Sequence, residues 1–352
     1  MAGDYRLVHW TPFKTLTDLA LGIGVAAFLG ASVAGALASA PPGQSPSEIQ
    51  VLIRAFGAGA FALLTVILAI GPLARLSPRF LPLLYNRRHF GVTCFALAAT
   101  HAGLTLLWHQ GFSDLNPLIA LLVSNPRYDA IQGFPFETLG LAALGVLFVM
   151  AATSHDFWNA TLGPAAWKTL HMGVYGAYAL AVGHVMLGAV QGDKGPAYPV
   201  VVGAGAALLA ALHVYAGARE ARRDRATAAP DGEGWIRVGP GGDIPDARAH
   251  IVTPPAGEKI AVFRDGATIF ALSNVCRHQG GPLGEGRIVD GCVTCPWHGF
   301  QYQRDGQSPA PFKERIATYR TRIMDGVVYV HATPLPPGTD TPPSLLPARP
   351  AP

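Results

Sequence analysis

Six stretches of this chain, approximately residues 16–40, 55–74, 90–109, 137–153, 169–190 and 199–218, are almost unbroken runs of apolar residues. A hydrocarbon core of about 30 Å needs roughly 20 such residues as helix, so each stretch is a candidate transmembrane span. Their wealth of Ala, Gly and Leu suits helices that approach one another closely in lipid. This accounts for a charged fraction of only 14% in 352 residues, against about 25% in soluble domains. Residues 219–334, by contrast, are charged and rich in turn formers. The expected architecture is a membrane all-α bundle of six transmembrane helices over 1–218, a basic linker over 219–233 and an all-β domain over 234–334. A Pro-rich tail, 335–352, is expected to be extended and disordered. The net charge is +4, with Lys and Arg mostly beside the apolar runs, which argues for a lipid bilayer and no nucleic acid as the partner of the basic residues.

Orientation follows from the basic residues. Arg75, Arg79, Arg87 and Arg88 lie between spans two and three, Lys168 between four and five, and Arg219, Arg222, Arg223 and Arg225 after six. The opposite loops hold Arg54, Arg127 and Lys194. Positive residues stay inside, so both termini are expected in the cytoplasm of a multi-pass inner-membrane protein. Ala38-Ser39-Ala40 resembles a signal-peptidase site, but the apolar run before it is longer than the usual 7–15 residues, favouring an uncleaved span.

Ionisable groups inside spans are costly and mark interior ligands. His101, His171 and His184 stand out, with His89 and His213 as weaker candidates. Spans three and five run in the same direction. His171 and His184 are thirteen residues apart, about 20 Å along a helix, and His89 and His101 twelve apart, about 18 Å. Equal depths suggest an outer pair, His101 with His184, and a cytoplasmic-side pair, His89 with His171, each able to give two axial imidazoles to a haem iron. The rotations agree less well, since at about 100° per residue twelve steps turn a side chain by about 120° and thirteen by about 140° in the opposite sense. Interhelical hydrogen bonding is the alternative role for any one of them.

Arg87-Arg88-His89-Phe90-Gly91, His101, Thr153-Ser154, Trp158, Leu162-Gly163, Trp167-Lys168-x-Leu170-His171 and His184 together resemble the ferric-reductase-like transmembrane superfamily over roughly residues 70–190. The likeness within it is to haem-binding membrane subunits of periplasmic methionine sulfoxide reductase systems. The resemblance implies that His101, His171 and His184 are haem-associated; it gives His89 no support.

In the carboxy-terminal region, Asp-Gly pairs at 265–266, 290–291, 305–306 and 325–326 lie mostly between β-forming residues, a strong hairpin signal. Strands are expected near 260–263, 268–272, 287–289, 292–294, 320–324 and 327–331. Among them sit Cys276-x-His278 and, sixteen residues later, Cys295-x-x-His298. Two thiolates and two imidazoles could hold zinc. Zinc fingers, however, usually take Cys-Cys from one loop and His-His from another, whereas each loop here offers one of each. That interleaving suits a Rieske [2Fe–2S] centre, Cys276 and Cys295 on one iron and His278 and His298 on the other. Gly280, Gly281, Pro282, Pro296 and Gly299 would shape two tight loops around it.

The two boxes resemble Rieske ferredoxins over residues 234–332. Respiratory members of that family carry an extra cysteine in each box, where this chain has Gly281 and Trp297, and a serine near the cluster, where it has Phe300; Tyr302 is retained. Fewer hydrogen bonds to sulfur imply a lower potential than in the respiratory class. Cys292 and Cys295 form a C-x-x-C pair, but without a βαβ context Cys292 reads as a strand residue. Cys94 reads as packing, and His109 and His155 as solvated residues at span ends.

The expected function is membrane electron transfer of oxidoreductase type: single electrons relayed between a cytoplasmic [2Fe–2S] cluster and one or two b-type haems. A cytoplasmic reductase would be the donor, and an outer-face protein or quinone the acceptor. A membrane-anchored Rieske ferredoxin with a haem-free bundle is the alternative. Too few residues follow the cluster boxes to form the mononuclear-iron domain of an oxygenase.

Overall fold

The computed structural model describes residues 12–347 except 41–45, 81–82, 85, 112–113, 124, 126, 132, 163, 193–196, 225–227, 279, 297–298 and 311. The chain divides into two compact units, one of residues 1–76 and 86–215, the other of 77–85 and 216–352.

The first unit is helical: α1 (Pro12–Ala38), α2 (Glu48–Leu76), α3 (Arg87–Gln110), α4 (Pro117–Val123), α5 (Phe136–Ala152), α6 (Asp156–Leu162), α7 (Pro164–His171) and α8 (Gly173–Gln191), with α9 (Ala197–Asp224) running on into the second unit. Among the described residues, five helices are long and apolar enough to cross a membrane: Lys14–Ala38, Glu48–Leu76, Arg87–Gln110, Ala166–Ala189 and Tyr198–Arg222. The expected fourth span is the apolar helix α5, whose 17 residues reach about 26 Å, short of a hydrocarbon core. α7 and α8 act as one span because the Met172 N–H still reaches the Lys168 carbonyl at 2.9 Å.

Packing explains the small residues. Leu64, Ile67 and Leu68 of α2, Cys94 of α3, Leu147 of α5, Val174, Ala177 and Tyr178 of α8 and Leu209 of α9 form one buried cluster. Phe61 stacks on Tyr178 at 5.6 Å. Cys94 is packing, as expected, with its thiol on the Ala60 carbonyl at 3.4 Å. Outward faces stay apolar, with Ile23, Leu208 and Val214 all exposed, as a lipid-facing surface requires.

Among the described residues, the second unit is a β structure of three sheets. β1 (Trp235–Pro240), β10 (Val327–His331) and β9 (Thr321–Met324) form one, in that order. β11 (Ser344–Leu345), β4 (Thr268–Ser273), β3 (Ile260–Asp265) and β2 (Arg248–Val252) form the second, with β8 (Thr318–Tyr319) also on β4. β5 (Arg287–Val289), β6 (Cys292–Thr294) and β7 (Gln301–Tyr302) form the third. The Asp-Gly pairs do what their chemistry allows. Asp290 and Gly291 have φ of 51° and 75°, and Asp325 and Gly326 have 50° and 74°, the positive pair that a two-residue turn matching strand twist needs.

The tail departs from expectation. The Leu335 N–H bonds to the Thr318 carbonyl and the Gly338 N–H to Ile316, and β11 pairs with β4. Its prolines suppress a helix but leave enough donors to complete a sheet edge.

Candidate functional site

The two cysteine boxes fold as copies of one loop. Cys276 follows β4, and its carbonyl accepts from the Gly280 N–H at 2.7 Å while its own N–H donates to the Gly281 carbonyl at 2.9 Å. Cys295 follows β6, and the same bonds recur: Gly299 N–H to its carbonyl at 3.0 Å, and its N–H to the Phe300 carbonyl at 2.8 Å. Gly280 and Gly299 have φ of +73° and +70°, a conformation costly for a residue with a Cβ. Both cysteines are buried, each 1% exposed.

Around them the site is aromatic. The His278 ring lies parallel to Phe300, centres 5.0 Å apart, and Phe312 packs on Phe300 at 5.0 Å. The Tyr302 hydroxyl accepts the Arg277 N–H at 2.9 Å and lies 3.6 Å from the Cys276 sulfur. Burial first, and the neighbouring Cys276 charge second, hold the Tyr302 phenol far above its ordinary pKa. His298 lies outside the described residues. Among those described, no three His, Cys, Asp or Glu groups converge on one point, whereas a two-iron cluster asks for its ligands two and two. Buried thiols, two loops that bring backbone amides close and a shielded imidazole fit such a cluster.

Cys292 is only partly buried, on β6, and burial with the Asp290 charge raises its thiol pKa. A raised pKa disfavours the thiolate, the reactive form of cysteine.

In the helical unit the structure brings together two of the candidate histidines. The His101 and His184 ring centres are 6.2 Å apart and cross at 78°. Nδ1 of His101 meets the Ile53 carbonyl at 2.8 Å, and Nδ1 of His184 meets the Phe136 carbonyl at 2.9 Å. Carbonyls only accept, so each Nδ1 carries the proton and each Nε2 keeps its lone pair. Two imidazole-to-metal bonds of about 2 Å and two ring radii of about 1.1 Å sum to about 6.2 Å, so the separation of the rings matches that of two imidazoles sharing one metal. Room for the rings comes from glycine: a Cβ on Gly57 would lie 2.8 Å from the His101 Nδ1, and one on Gly140 2.7 Å from the His184 Nδ1.

His171 ends α7. Its Nδ1 donates to the Trp167 carbonyl at 3.0 Å and its ring stacks on Trp167 at 3.8 Å. Its Nε2 is buried, with the Met150 backbone also beside the ring. His89 turns to α1, where Nδ1 is 2.6 Å from the Asp18 carboxylate. His213 bonds to the Leu209 carbonyl of its own helix and meets the edge of Tyr175. His109 is exposed, and His155 accepts the Phe157 N–H at the start of α6.

These contacts expose a repeat that the spacing of histidines alone does not reveal. Ile53, Gly57 and His101 recur 83 residues later as Phe136, Gly140 and His184. So do buried Ala60, Leu64 and Cys94, as buried Ala143, Leu147 and Ala177. The signal is in the sequence: Phe95-Ala-Leu-Ala-x-x-His101-x-x-Leu104 against Tyr178-Ala-Leu-Ala-x-x-His184-x-x-Leu187. The helix pair α2 and α3 thus has a counterpart in α5 and α8.

Comparison with known proteins agrees with this division. Residues 234–320 match the Rieske [2Fe-2S] domain, and residues 56–182 match the ferric reductase like transmembrane component. The chain is 36% identical over 182 residues to the protein-methionine-sulfoxide reductase heme-binding subunit MsrQ of Caulobacter vibrioides, across 50% of this chain and 78% of that one. It is 46% identical over 79 residues to the anthranilate 1,2-dioxygenase ferredoxin subunit of Burkholderia cepacia, across 22% of this chain and 73% of that one. The chain belongs to the ferric-reductase-like transmembrane family that includes the MsrQ subunits, and carries a ferredoxin-type Rieske [2Fe-2S] domain on its carboxy-terminal side.

Proposed function

We propose that the protein relays single electrons between a Rieske cluster held by Cys276, Cys295, His278 and His298 and b-type haem held in the membrane by His101 and His184, with a second haem at His171. The carrying observation is the His101–His184 pair: two imidazoles at a separation an iron would span, each locked by a backbone carbonyl into the tautomer that ligates. Cluster and haem both supply one-electron reduction and reoxidation. The chain's own residues orient the ligands, and Phe300 and Tyr302 pack with Cys276 and Cys295 in one buried cluster. His89 is left out of the ligand set, because its ring turns to Asp18 of α1 and away from the His101–His184 pair.

The basic residues favour both termini and the Rieske domain in the cytoplasm, with α5 as a sixth span drawn through a locally thin bilayer. The donor is then a cytoplasmic reductase and the acceptor an outer-face protein or quinone. The test is optical spectroscopy with low-temperature EPR on the purified full-length protein. His101→Ala is expected to remove the haem held by the His101–His184 pair and leave the cluster signal, and His278→Ala to remove the cluster signal and leave the haem bands. Reduced wild-type protein without b-type bands would leave only a membrane-anchored ferredoxin.

A further inference from the structure

The segment between α3 and α5 is built inside out. Leu115, Leu118, Ile119, Leu122, Val123 and Ile131 are all exposed, Ile131 by 71%. All seven residues of α4 are apolar, and only Ala120 is buried. The polar side chains do the opposite and turn onto backbone. Asn116 Oδ1 accepts the Leu118 N–H at 3.0 Å, and Asn125 Oδ1 accepts the Arg127 N–H at 3.1 Å. Asn125 Nδ2 donates to the Gly133 carbonyl at 2.6 Å, and Gln191 Nε2 of α8 donates to the Phe134 carbonyl at 2.8 Å. A loop in water shows its polar groups and keeps its large apolar ones down. Outward apolar side chains over a self-satisfied backbone are what the edge of a bilayer asks of a connecting segment.

The surroundings choose between lipid and a protein partner. No charged residue lies from Leu115 to Pro126, and Asp114 and Arg127 stand at the two ends. α4 packs against α3 and α5, so its outward face continues the apolar face of α3, where Leu107 and Trp108 are exposed. The 24 residues of α3 reach about 36 Å, about 6 Å more than a hydrocarbon core, which brings the end of that helix to headgroup level. Trp108 and Tyr128 are the residue types that settle there. Protein interfaces carry a polar rim that bonds across to the partner, whereas the amides of Asn125 and Gln191 are spent on this segment's own backbone.

We propose that the segment holding α4, Tyr128 and Ile131 is a lipid-binding element, seated in the headgroup–acyl boundary of the leaflet that α3 enters at this end, with Asp114, Arg127 and Asp129 on the water side. It leads into Phe136, whose carbonyl holds His184, so the bilayer grips the chain next to that anchor. This goes beyond the electron-transfer reading and does not depend on it.

The experiment uses the full-length protein in nanodiscs of phosphatidylcholine and phosphatidylglycerol, doped with a phosphatidylcholine that carries a diazirine near the start of one acyl chain. After irradiation, mass spectrometry is expected to find lipid adducts on the α4 peptide at a yield similar to that at Ile23, an exposed residue of span α1. Hydroxyl-radical footprinting of the same nanodiscs should oxidise Leu118 and Leu122 several-fold less than Leu345, an exposed leucine of the β unit. Leu118→Asp combined with Leu122→Asp should abolish the adducts on α4 and keep those at Ile23, and the wild-type measurement stands whether or not that variant folds. An α4 peptide free of adducts while Ile23 is labelled overturns the proposal. Oxidation at the level of Leu345 would then mark a water-facing loop, and protection without adducts would mark a protein partner or a second copy of the chain.

Discussion

His101 and His184 are anchored in the same way, each through Nδ1 to a carbonyl 48 residues earlier in the chain. Gly57 and Gly140 make that possible. Gly57→Ala and Gly140→Ala each drive a methyl into the imidazole and should weaken haem retention about ten- to hundred-fold, as loss of an orienting partner does elsewhere. Haem content per polypeptide after detergent extraction measures it, and full occupancy in both variants would refute the anchoring role.

The Tyr302 hydroxyl lies beside the Cys276 sulfur, where it would donate to that sulfur and stabilise the more negative, reduced form of a bound cluster. Tyr302→Phe removes a hydrogen bond worth about 1 kcal/mol and should lower the potential by roughly 40 mV. Because burial raises the phenol pKa so far, the hydroxyl keeps its proton and this shift should be the same from neutral pH to mildly alkaline pH. Protein-film voltammetry reads both the shift and its flatness.

Cys292 and Cys295 share a C-x-x-C spacing but not a role. Cys292→Ala should leave the cluster EPR signal at full intensity, and Cys295→Ala should abolish it. With its pKa raised by burial and Asp290, Cys292 should also react slowly with iodoacetamide at neutral pH. Rapid alkylation of the holoprotein at Cys292 would contradict this placement.

Asp231 gathers the start of β1. Its carboxylate accepts the Trp235 N–H at 2.8 Å and the Glu233 N–H at 3.0 Å, and these amides, Trp235 first, with Arg322 hold its pKa below the usual 3.8. A depressed folded-state pKa contributes stability above the unfolded value and loses it as pH falls through the folded one. Asp231→Ala should therefore speed hydrogen exchange at the Trp235 amide near neutral pH. The difference from wild type should fade as the medium is acidified below the ordinary carboxylate range. A difference that persists unchanged in acid would show that the charge is not what matters.

Much of this organisation is legible in the sequence because it depends on local composition. Length of apolar run marks membrane spans, Asp-Gly marks turns that need positive φ, and Cys-x-His with Cys-x-x-His marks a two-iron site by ligand type alone. Five of six spans, the hairpins at 290–291 and 325–326 and the paired loops follow that logic. The strand at Ser344–Leu345 does not, because an edge residue joins a sheet through whatever donors its neighbour offers.

The histidines divide along the same line. That His101, His171 and His184 are unusual was readable from their setting in apolar runs, since any ionisable group there is costly. Equal depth also pointed to His101 facing His184, and the packed rings agree. The second pair, His89 with His171, was not legible, because depth along a helix leaves rotation open and a one-residue difference turns a side chain by about 100°; the packed helices turn His89 to Asp18. The sequence by itself determined which chemical groups lie within the bundle and the cluster loops; the tertiary structure decided their partners, because pairing depends on helix rotation and on the space that Gly57 and Gly140 leave open.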